Sequence, residues 1–351
     1  MCPKLGQAFV GADALTQCAE IWPLRHPLIV TRGSVKERYL AQVVAAWGLT
    51  HYEVFSDFTP CPQLNQIECF KPSDLAAYDA IIAIGGGSAF DCAKALKYQW
   101  VQSLETKLKE QAQALPILCI ATTFGSGAEI TPFAVIYSKE GKLSLSAPYL
   151  APAACILVPQ MGLSVSKEQR AAAAMDCFCQ AIEAFWSLHT TPASKADALE
   201  CIKLCLAAVK SAVLSDDITA QTKLAQASVL SGRAIAVAHT TAAHALSYYF
   251  TQYHNLAHGQ AVALIMRSLF ARNVEAIPDG SILIQALGLP SAAHFKPWFE
   301  TWLQELGLIT SFAALNLDEV SITKAVASVN MQRLANNPIS LSQEDLRALI
   351  N

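Results

Sequence analysis

The chain predicts two architectures in series, an α/β domain over residues 1–163 and an all-α helical domain over residues 164–351. Three observations carry this. The first half alternates short apolar β-like runs with helix-like segments, the pattern of a mostly parallel sheet covered by helices. After Pro159 strand signals nearly vanish and long helical periods take over. The 351 residues are 53% hydrophobic and only 15% charged, enough apolar material for two cores of roughly 150 residues each.

In chain order, HPLIVTRG (26–33) is a strand ending at Gly33, and SVKERYLAQVVAAWG (34–48) is a helix with a glycine stop. HYEVFSDF (51–58), YDAIIAIG (78–85) and LPILCIATT (115–123) read as strands. TPFAVIYS (131–138) and KLSLSAP (142–148) form a hairpin around Gly141. In the second half, Ser166 followed by Gln169 is a capping box, and helices are expected at 167–188, 193–214, 218–236, 240–250 and 258–273. Ser342 with Asp345 caps a last helix, and no internal repeat or low-complexity segment interrupts the pattern.

Composition narrows the function classes. A net charge of −3 with no Lys/Arg cluster argues against nucleic acid and anionic membranes as partners. No apolar run approaches the ~20 residues that span a bilayer, and MCPKLGQAFVGADAL lacks a signal-peptide layout. The eleven cysteines are scattered through apolar stretches, as at Cys119, Cys155, Cys201 and Cys205, and read as small core side chains of a reduced cytoplasmic protein. Cys177 and Cys179 are too close for C-x-x-C, and Cys61 and Cys69 have no second pair at zinc-ribbon spacing.

Two glycine-rich segments follow strands. In IIAIGGGSAFDCAKAL (81–96) an apolar run meets Gly85, Gly86 and Gly87, then Ser88, then a helix carrying Asp91 and Lys94. Strand, glycine turn and helix let a backbone approach a phosphate and aim free N–H groups at it. The spacing is not G-x-G-x-x-G, so a purely structural βα turn stands beside the phosphate reading. Thr122, Thr123, Phe124, Gly125, Ser126 and Gly127 lie at the end of the next buried strand, either a second cradle or an ordinary glycine-rich loop. Arg32 follows the LIVT strand with no acidic neighbour; it suits a 2′-phosphate and hence NADP, or is an exposed loop arginine.

The helical half carries the ionisable candidates. Asp176 is embedded in AAAAMDCFC, where an unpaired carboxylate is costly, and Gln180 lies one turn on. His244 and His258 stand fourteen residues apart. Brought together with Asp176 they make a mixed N/O site suited to zinc or iron(II); taken singly, each is equally a hydrogen-bonded core side chain. His254, His189 and His239 are further candidates, with a surface or structural role as the alternative, and His254 is placed to relay protons or touch substrate. Arg267 and Arg233 are cations in apolar surroundings, either anchors for an anionic substrate or members of helix–helix ion pairs.

Together these segments resemble, in order and over most of the chain, the iron-containing (group III metal-dependent) alcohol dehydrogenase family. GGGSAFDCAK (85–94) is similar to that family's pyrophosphate loop, and TTFGSGAEITPFAVIY (122–137) to its T-T-x-G-T-G-S-E segment. Asp176 in MDCFCQAIEAFWS, His244 in TTAAHALSYYF and His258 in AHGQAVAL match its metal-ligand positions, and NNPISLSQEDLRALI (336–350) resembles its ending. QAIEAFWS, TTAAHALSYYF and TPFAVIY look most like a branch that includes phosphonoacetaldehyde reductases and a Kdo 8-oxidase, whose substrates are anionic. Three positions depart from the pattern: Gln180 stands where the family has a histidine ligand, Arg267 where a proline is common after the last histidine, and Tyr248 where many members carry another histidine. A three-ligand site of the glycerol dehydrogenase type is then expected, with Gln180 at most a weak neutral ligand.

The resemblance implies a Rossmann-like nucleotide domain joined to a helical metal-binding domain, the dehydroquinate synthase-like fold. It implies an NAD(P)-dependent oxidoreductase interconverting a small polar alcohol and its aldehyde in the cleft between the domains. Its cofactor, NADP or NAD, would rest on Gly85, Gly86, Gly87 and Ser88, with Asp91, Thr122, Thr123, Ser126 and Lys142 around the ribose and nicotinamide and Arg32 nearby. A divalent metal, zinc or iron, would sit on Asp176, His244 and His258 with Gln180 beside them; His254 or water would move the proton, and Arg267 would meet the substrate. The expected partner is a small alcohol or aldehyde, and a homodimer is the assembly to test for. Two rival readings share the fold: a dehydroquinate-synthase-like carbon–oxygen lyase, which needs a denser Lys/Arg cluster than this chain offers, and a silent homologue with a degraded metal site, whose main support is Gln180.

Overall fold

The computed structural model describes residues 6–71, 75–103, 106–139, 141–329 and 331–350. The chain divides into two compact units, the first ending at Ser164 and the second beginning at Val165, one residue past the expected boundary.

The first unit runs β1 (Gln7–Val10), α1 (Ala14–Ile21), β2 (Leu28–Val30), α2 (Gly33–Trp47), β3 (Glu53–Phe55), α3 (Leu64–Cys69), β4 (Ile81–Gly85), α4 (Gly87–Ser103), α5 (Thr106–Ala114), β5 (Ile117–Ala121), β6 (Phe133–Ser138), β7 (Gly141–Ser146), β8 (Ala154–Leu157) and α6 (Pro159–Gly162). Six strands form one parallel sheet in the order β1-β8-β5-β4-β2-β3. Every residue of β4 and β5 is buried, which is why these strands read as unbroken apolar runs. Ile29, Ile82, Ile84, Leu118, Ile120 and Ile156 form the core with Leu15, Cys18 and Val43 from the helices. The expected hairpin is β6 and β7, antiparallel, with Tyr137 opposite Lys142. Sequence periodicity missed β1 and β8. Each has four residues, too few to show a period, and each becomes a strand by pairing, β8 between β5 and β1.

The second unit is helical: α7 (Lys167–Trp186), α8 (Pro192–Leu214), α9 (Ile218–Ala238), α10 (Ala242–Tyr253), α11 (His258–Ala276), α12 (Gly280–Ala286), α13 (Phe295–Glu305), α14 (Glu319–Ala327), α15 (Met331–Leu334) and α16 (Gln343–Ala348). The capping boxes at Ser166/Gln169 and Ser342/Asp345 form as expected. Helix α7 packs on α8, α9 and α11 and is buried along nearly its whole length, so it needs no polar face. Along the α7–α8 seam Cys177 Sγ lies 3.5 Å from Cys201 Sγ and 3.9 Å from Cys205 Sγ. Every cysteine among the described residues is free. Among the described residues no helix is long and apolar enough to cross a membrane.

Candidate functional site

In the first unit the candidate cofactor residues follow the ends of three adjacent strands. Strand β4 lies between β2 and β5. Arg32 therefore follows one neighbour, Gly85–Ser88 the centre, and Thr122–Ser126 the other, at the carboxyl edge where parallel sheets bind ligands. The two glycine-rich loops touch. Thr122 N–H donates to Gly85 O at 2.8 Å. A Cβ on Gly86 would lie 2.5 Å from Thr123 Oγ1, so a side chain there would force the Thr123 hydroxyl aside, whereas one on Gly87 would stand 3.3 Å from Ser126 Oγ, a tight contact that a small shift relieves. Helix α4 starts at Gly87, and its first turn offers the N–H groups of Gly87 and Ser88. The Ser88 hydroxyl donates to Pro60 O, which leaves the backbone rather than the side chain as its phosphate-facing donor.

Lys94, buried on α4, is the clamp of this edge: its Nζ donates to Ala128 O at 2.5 Å and Phe133 O at 2.8 Å. Burial pushes its pKa down, opposed by Asp91, Cys119 and Glu129. Arg32 is half-buried at the N-cap of α2 with its guanidinium carbon 5.8 Å from the Phe58 ring. Lys142 is half-buried on β7. These residues fit a dinucleotide by backbone donors and the close-approach glycine Gly86.

In the second unit three side chains converge from three helices. One ligand atom each of Asp176 (α7), His244 (α10) and His258 (the first residue of α11) lies within 4.8 Å of the others. His244 Nε2 is 3.1 Å and His258 Nε2 4.0 Å from Asp176 Oδ1. Asp176 and His244 are buried, whereas the His258 side chain is 30% exposed, so the site opens on one side. The convergence depends on Gly259: a Cβ there would stand 1.9 Å from Ala172 O and 2.8 Å from Asp176 Cβ, so only glycine lets α11 lie against α7.

Sequence reasoning missed the residue that orients this group. Glu183 is wholly buried two turns beyond Asp176 on the same face of α7. It accepts from Thr241 N at 3.1 Å, Thr241 Oγ1 at 2.7 Å and Ala243 N at 2.9 Å, at the N-terminus of α10, and from His244 Nδ1. Burial opposes its charge, but His244 and these donors outweigh it and hold its pKa below the usual carboxylate value. Burial likewise works against His244, yet Glu183 and Asp176 raise its pKa to about 9. With Nδ1–H given to Glu183, Nε2 is the atom His244 presents to a metal, in the carboxylate–histidine–metal arrangement. The signal was legible: a glutamate in an apolar helix, seven residues from a buried aspartate.

Other expectations are corrected. Gln180 does not present its oxygen to the group: its Oε1 accepts from Ser231 Oγ at 2.6 Å, and its Nε2 donates to Asp176 Oδ1 at 3.2 Å. Its amide braces Asp176 rather than turning an oxygen toward the group. Arg267 is the helix–helix ion pair of the two readings, with Nη1 donating to Glu300 Oε1 at 3.0 Å and Thr310 O at 2.8 Å, and Arg233 pairs with Asp197 at 3.2 Å. His254 caps α10 and packs its ring on Tyr249 and Phe250, outside the three-residue group. His189 and His239 meet edge to face at 6.2 Å. Tyr248 stacks on His258 with centroids 5.1 Å apart, and Arg333, which no sequence signal marked, reaches the Tyr248 hydroxyl.

Comparison with known proteins matches both units of the chain. The family model for iron-containing alcohol dehydrogenase matches residues 6–159, and that for the C-terminal part of the Fe-containing alcohol dehydrogenase family matches residues 170–351. A phosphonoacetaldehyde reductase of Streptomyces viridochromogenes is 31% identical over 304 residues, covering 78% of this chain and 75% of its own. The structure of sulfoacetaldehyde reductase from Bifidobacterium kashiwanohense in complex with NAD+ superposes with a TM-score of 0.87 at 26% identity, covering 100% of this chain and 96% of that one. An alcohol dehydrogenase from Oenococcus oeni shares the fold, with a TM-score of 0.88 at 22% identity over 99% of this chain and 98% of its own. With both units matched, this chain belongs to the iron-containing alcohol dehydrogenase family.

Proposed function

We propose that this protein is a metal-assisted, NAD(P)-dependent reductase of a small aldehyde that carries an anionic group, catalysing the alcohol oxidation in reverse. The observation that carries the reading is the convergence of Asp176, His244 and His258, with Glu183 fixing the histidine tautomer. The three intact ligands and their outer carboxylate argue against a degraded, silent site. The N/O donor set suits zinc or iron(II). Such a cation, when bound, supplies Lewis acidity toward the substrate oxygen.

The chain's own residues do the rest. Glu183 and Gln180 hold His244 and Asp176 in place. The exposed edge of His258 admits substrate and the water that supplies the proton. Gly87 and Ser88 offer backbone N–H groups to the dinucleotide pyrophosphate, and Arg32 offers a cation to a 2′-phosphate, which favours NADP. The anionic-aldehyde preference draws on the relatives named for phosphonoacetaldehyde and sulfoacetaldehyde.

Metal-loaded protein should oxidise NADH or NADPH, followed at the nicotinamide absorbance, with sulfoacetaldehyde or phosphonoacetaldehyde. No oxidation with either aldehyde, or with propanal, would overturn the reading.

A further inference from the structure

We infer that Cys177, Cys201 and Cys205 form a second metal site, a buried three-sulfur group between α7 and α8 that takes a soft monovalent cation, copper(I). The inference stands apart from the reductase reading, because none of these residues belongs to the Asp176, His244 and His258 group.

The three thiols converge from two helices. Cys201 and Cys205 lie one turn apart on one face of α8, and Cys177 meets them from α7. Cys177 Sγ is 3.5 Å from Cys201 Sγ and 3.9 Å from Cys205 Sγ, and all three sulfurs lie within 4.8 Å of one another. A cation bonded to three sulfurs at about 2.3 Å in one plane holds them about 4.0 Å apart. The two measured separations stand close to that value. All four cysteines of the second unit sit on these two helices, and Cys179 alone stays outside the group.

The donor set selects the ion. Thiolates are soft ligands and favour copper(I), zinc and iron–sulfur clusters over magnesium, calcium and manganese. A closed zinc site takes four ligands, and no fourth histidine, cysteine, aspartate or glutamate among the described residues joins this group. Solvent is shut out as a fourth ligand, because all three side chains are 0% exposed. A three-coordinate ion remains, and copper(I) accepts three sulfurs in a plane. Loading sends at least one thiol proton to solvent, which balances the monovalent charge, and neither metal nor sulfur changes oxidation state.

The two candidate sites use different sides of α7. Asp176 meets His244 on α10 and His258 on α11, whereas Cys177 meets α8. An ion among the sulfurs ties α8 to the helix that carries Asp176, Gln180 and Glu183, and stabilises the native state by binding it alone.

The test equilibrates reduced full-length protein, without oxygen, with copper(I) buffered by bicinchoninate. Wild type should take one copper(I) per chain and melt at a higher temperature when loaded. His258→Ala should keep this uptake, and so should the double variant Cys61→Ala with Cys69→Ala, which removes the partly exposed and the exposed thiol. Cys201→Ala and Cys205→Ala should each lose both the uptake and the melting shift while keeping the wild-type circular dichroism spectrum. X-ray absorption of loaded wild type should show three sulfur neighbours and no nitrogen or oxygen. Absent uptake in wild type, uptake retained in both α8 variants, or nitrogen and oxygen neighbours would overturn the inference. Zinc retained by these cysteines in place of copper(I), in a parallel equilibration, overturns it as well. If one α8 variant does not fold, the other and the wild-type absorption spectrum decide.

Discussion

Glu183 on α7 accepts the Nδ1 proton of His244 on α10, and so decides which nitrogen His244 turns toward Asp176. The same carboxylate accepts the N–H groups of Thr241 and Ala243 that open α10. One buried side chain therefore both caps a helix and sets the His244 tautomer.

Glu183→Gln keeps an acceptor for the α10 backbone but loses the anionic partner of His244. Metal affinity should fall about 10–100-fold, measured by competition with a chelator, while the metal-free circular dichroism spectrum stays that of wild type. Unchanged affinity would mean that His244 is oriented by something else.

Gln180 and His258 separate a supporting residue from a ligand. His258→Ala leaves two protein ligands, fewer than the three that catalytic sites keep, so the protein should emerge from gel filtration without metal. Gln180→Leu removes only a hydrogen bond to Asp176 and should weaken metal binding about tenfold. Complete metal loss in Gln180→Leu would restore Gln180 to the ligand set.

Gly259→Ala inserts a methyl group 1.9 Å from Ala172 O, a backbone atom that cannot swing aside. The strain should cost about 1–3 kcal/mol or more, lowering the melting temperature by roughly 2–4 °C per kcal/mol. Metal content should fall with it, because the same contact sets α11 against Asp176. A wild-type melting temperature and full metal content would refute the close-approach argument.

Arg32→Asp replaces a cation at the end of β2 with the acid that suits a ribose 2′-hydroxyl. The kcat/KM ratio of NADPH to NADH should drop at least tenfold. A constant ratio would remove Arg32 from cofactor selection.

Buried thiols make stability fall with rising pH. Burial pushes the Cys18 thiol up from 9.0 to about 12 and raises Cys119, Cys155 and Cys179 in the same direction. Between pH 9 and the folded pKa the unfolded chain has lost these protons and the native chain has kept them. Each such thiol therefore removes about 1.4 kcal/mol per pH unit there. Lys97, lowered by burial to about 8, works the other way between pH 8 and 10.5, and Lys94, also lowered by burial, acts in the same sense, so two groups oppose these four thiols. Urea unfolding at pH 9 and 10.5 should show the decline, with a shallower slope in Cys18→Ala.

The sequence by itself determined which segments are strands and helices where they are long, and which residues are candidates for the chemistry. Continuous apolar runs marked β4 and β5, the capping box marked the start of α7, and glycine loops, a buried aspartate and two spaced histidines marked the site. These signals are local, set by backbone geometry and burial over a few residues. Only the tertiary structure decided what meets what. Strand β8 exists because β1 and β5 flank it, Gln180 turned its oxygen to Ser231, and Arg267 found Glu300. Arg333 came beside Tyr248 from 85 residues away along the chain. Such partnerships are fixed by how helices pack, and packing distance leaves no periodic trace in the order of residues.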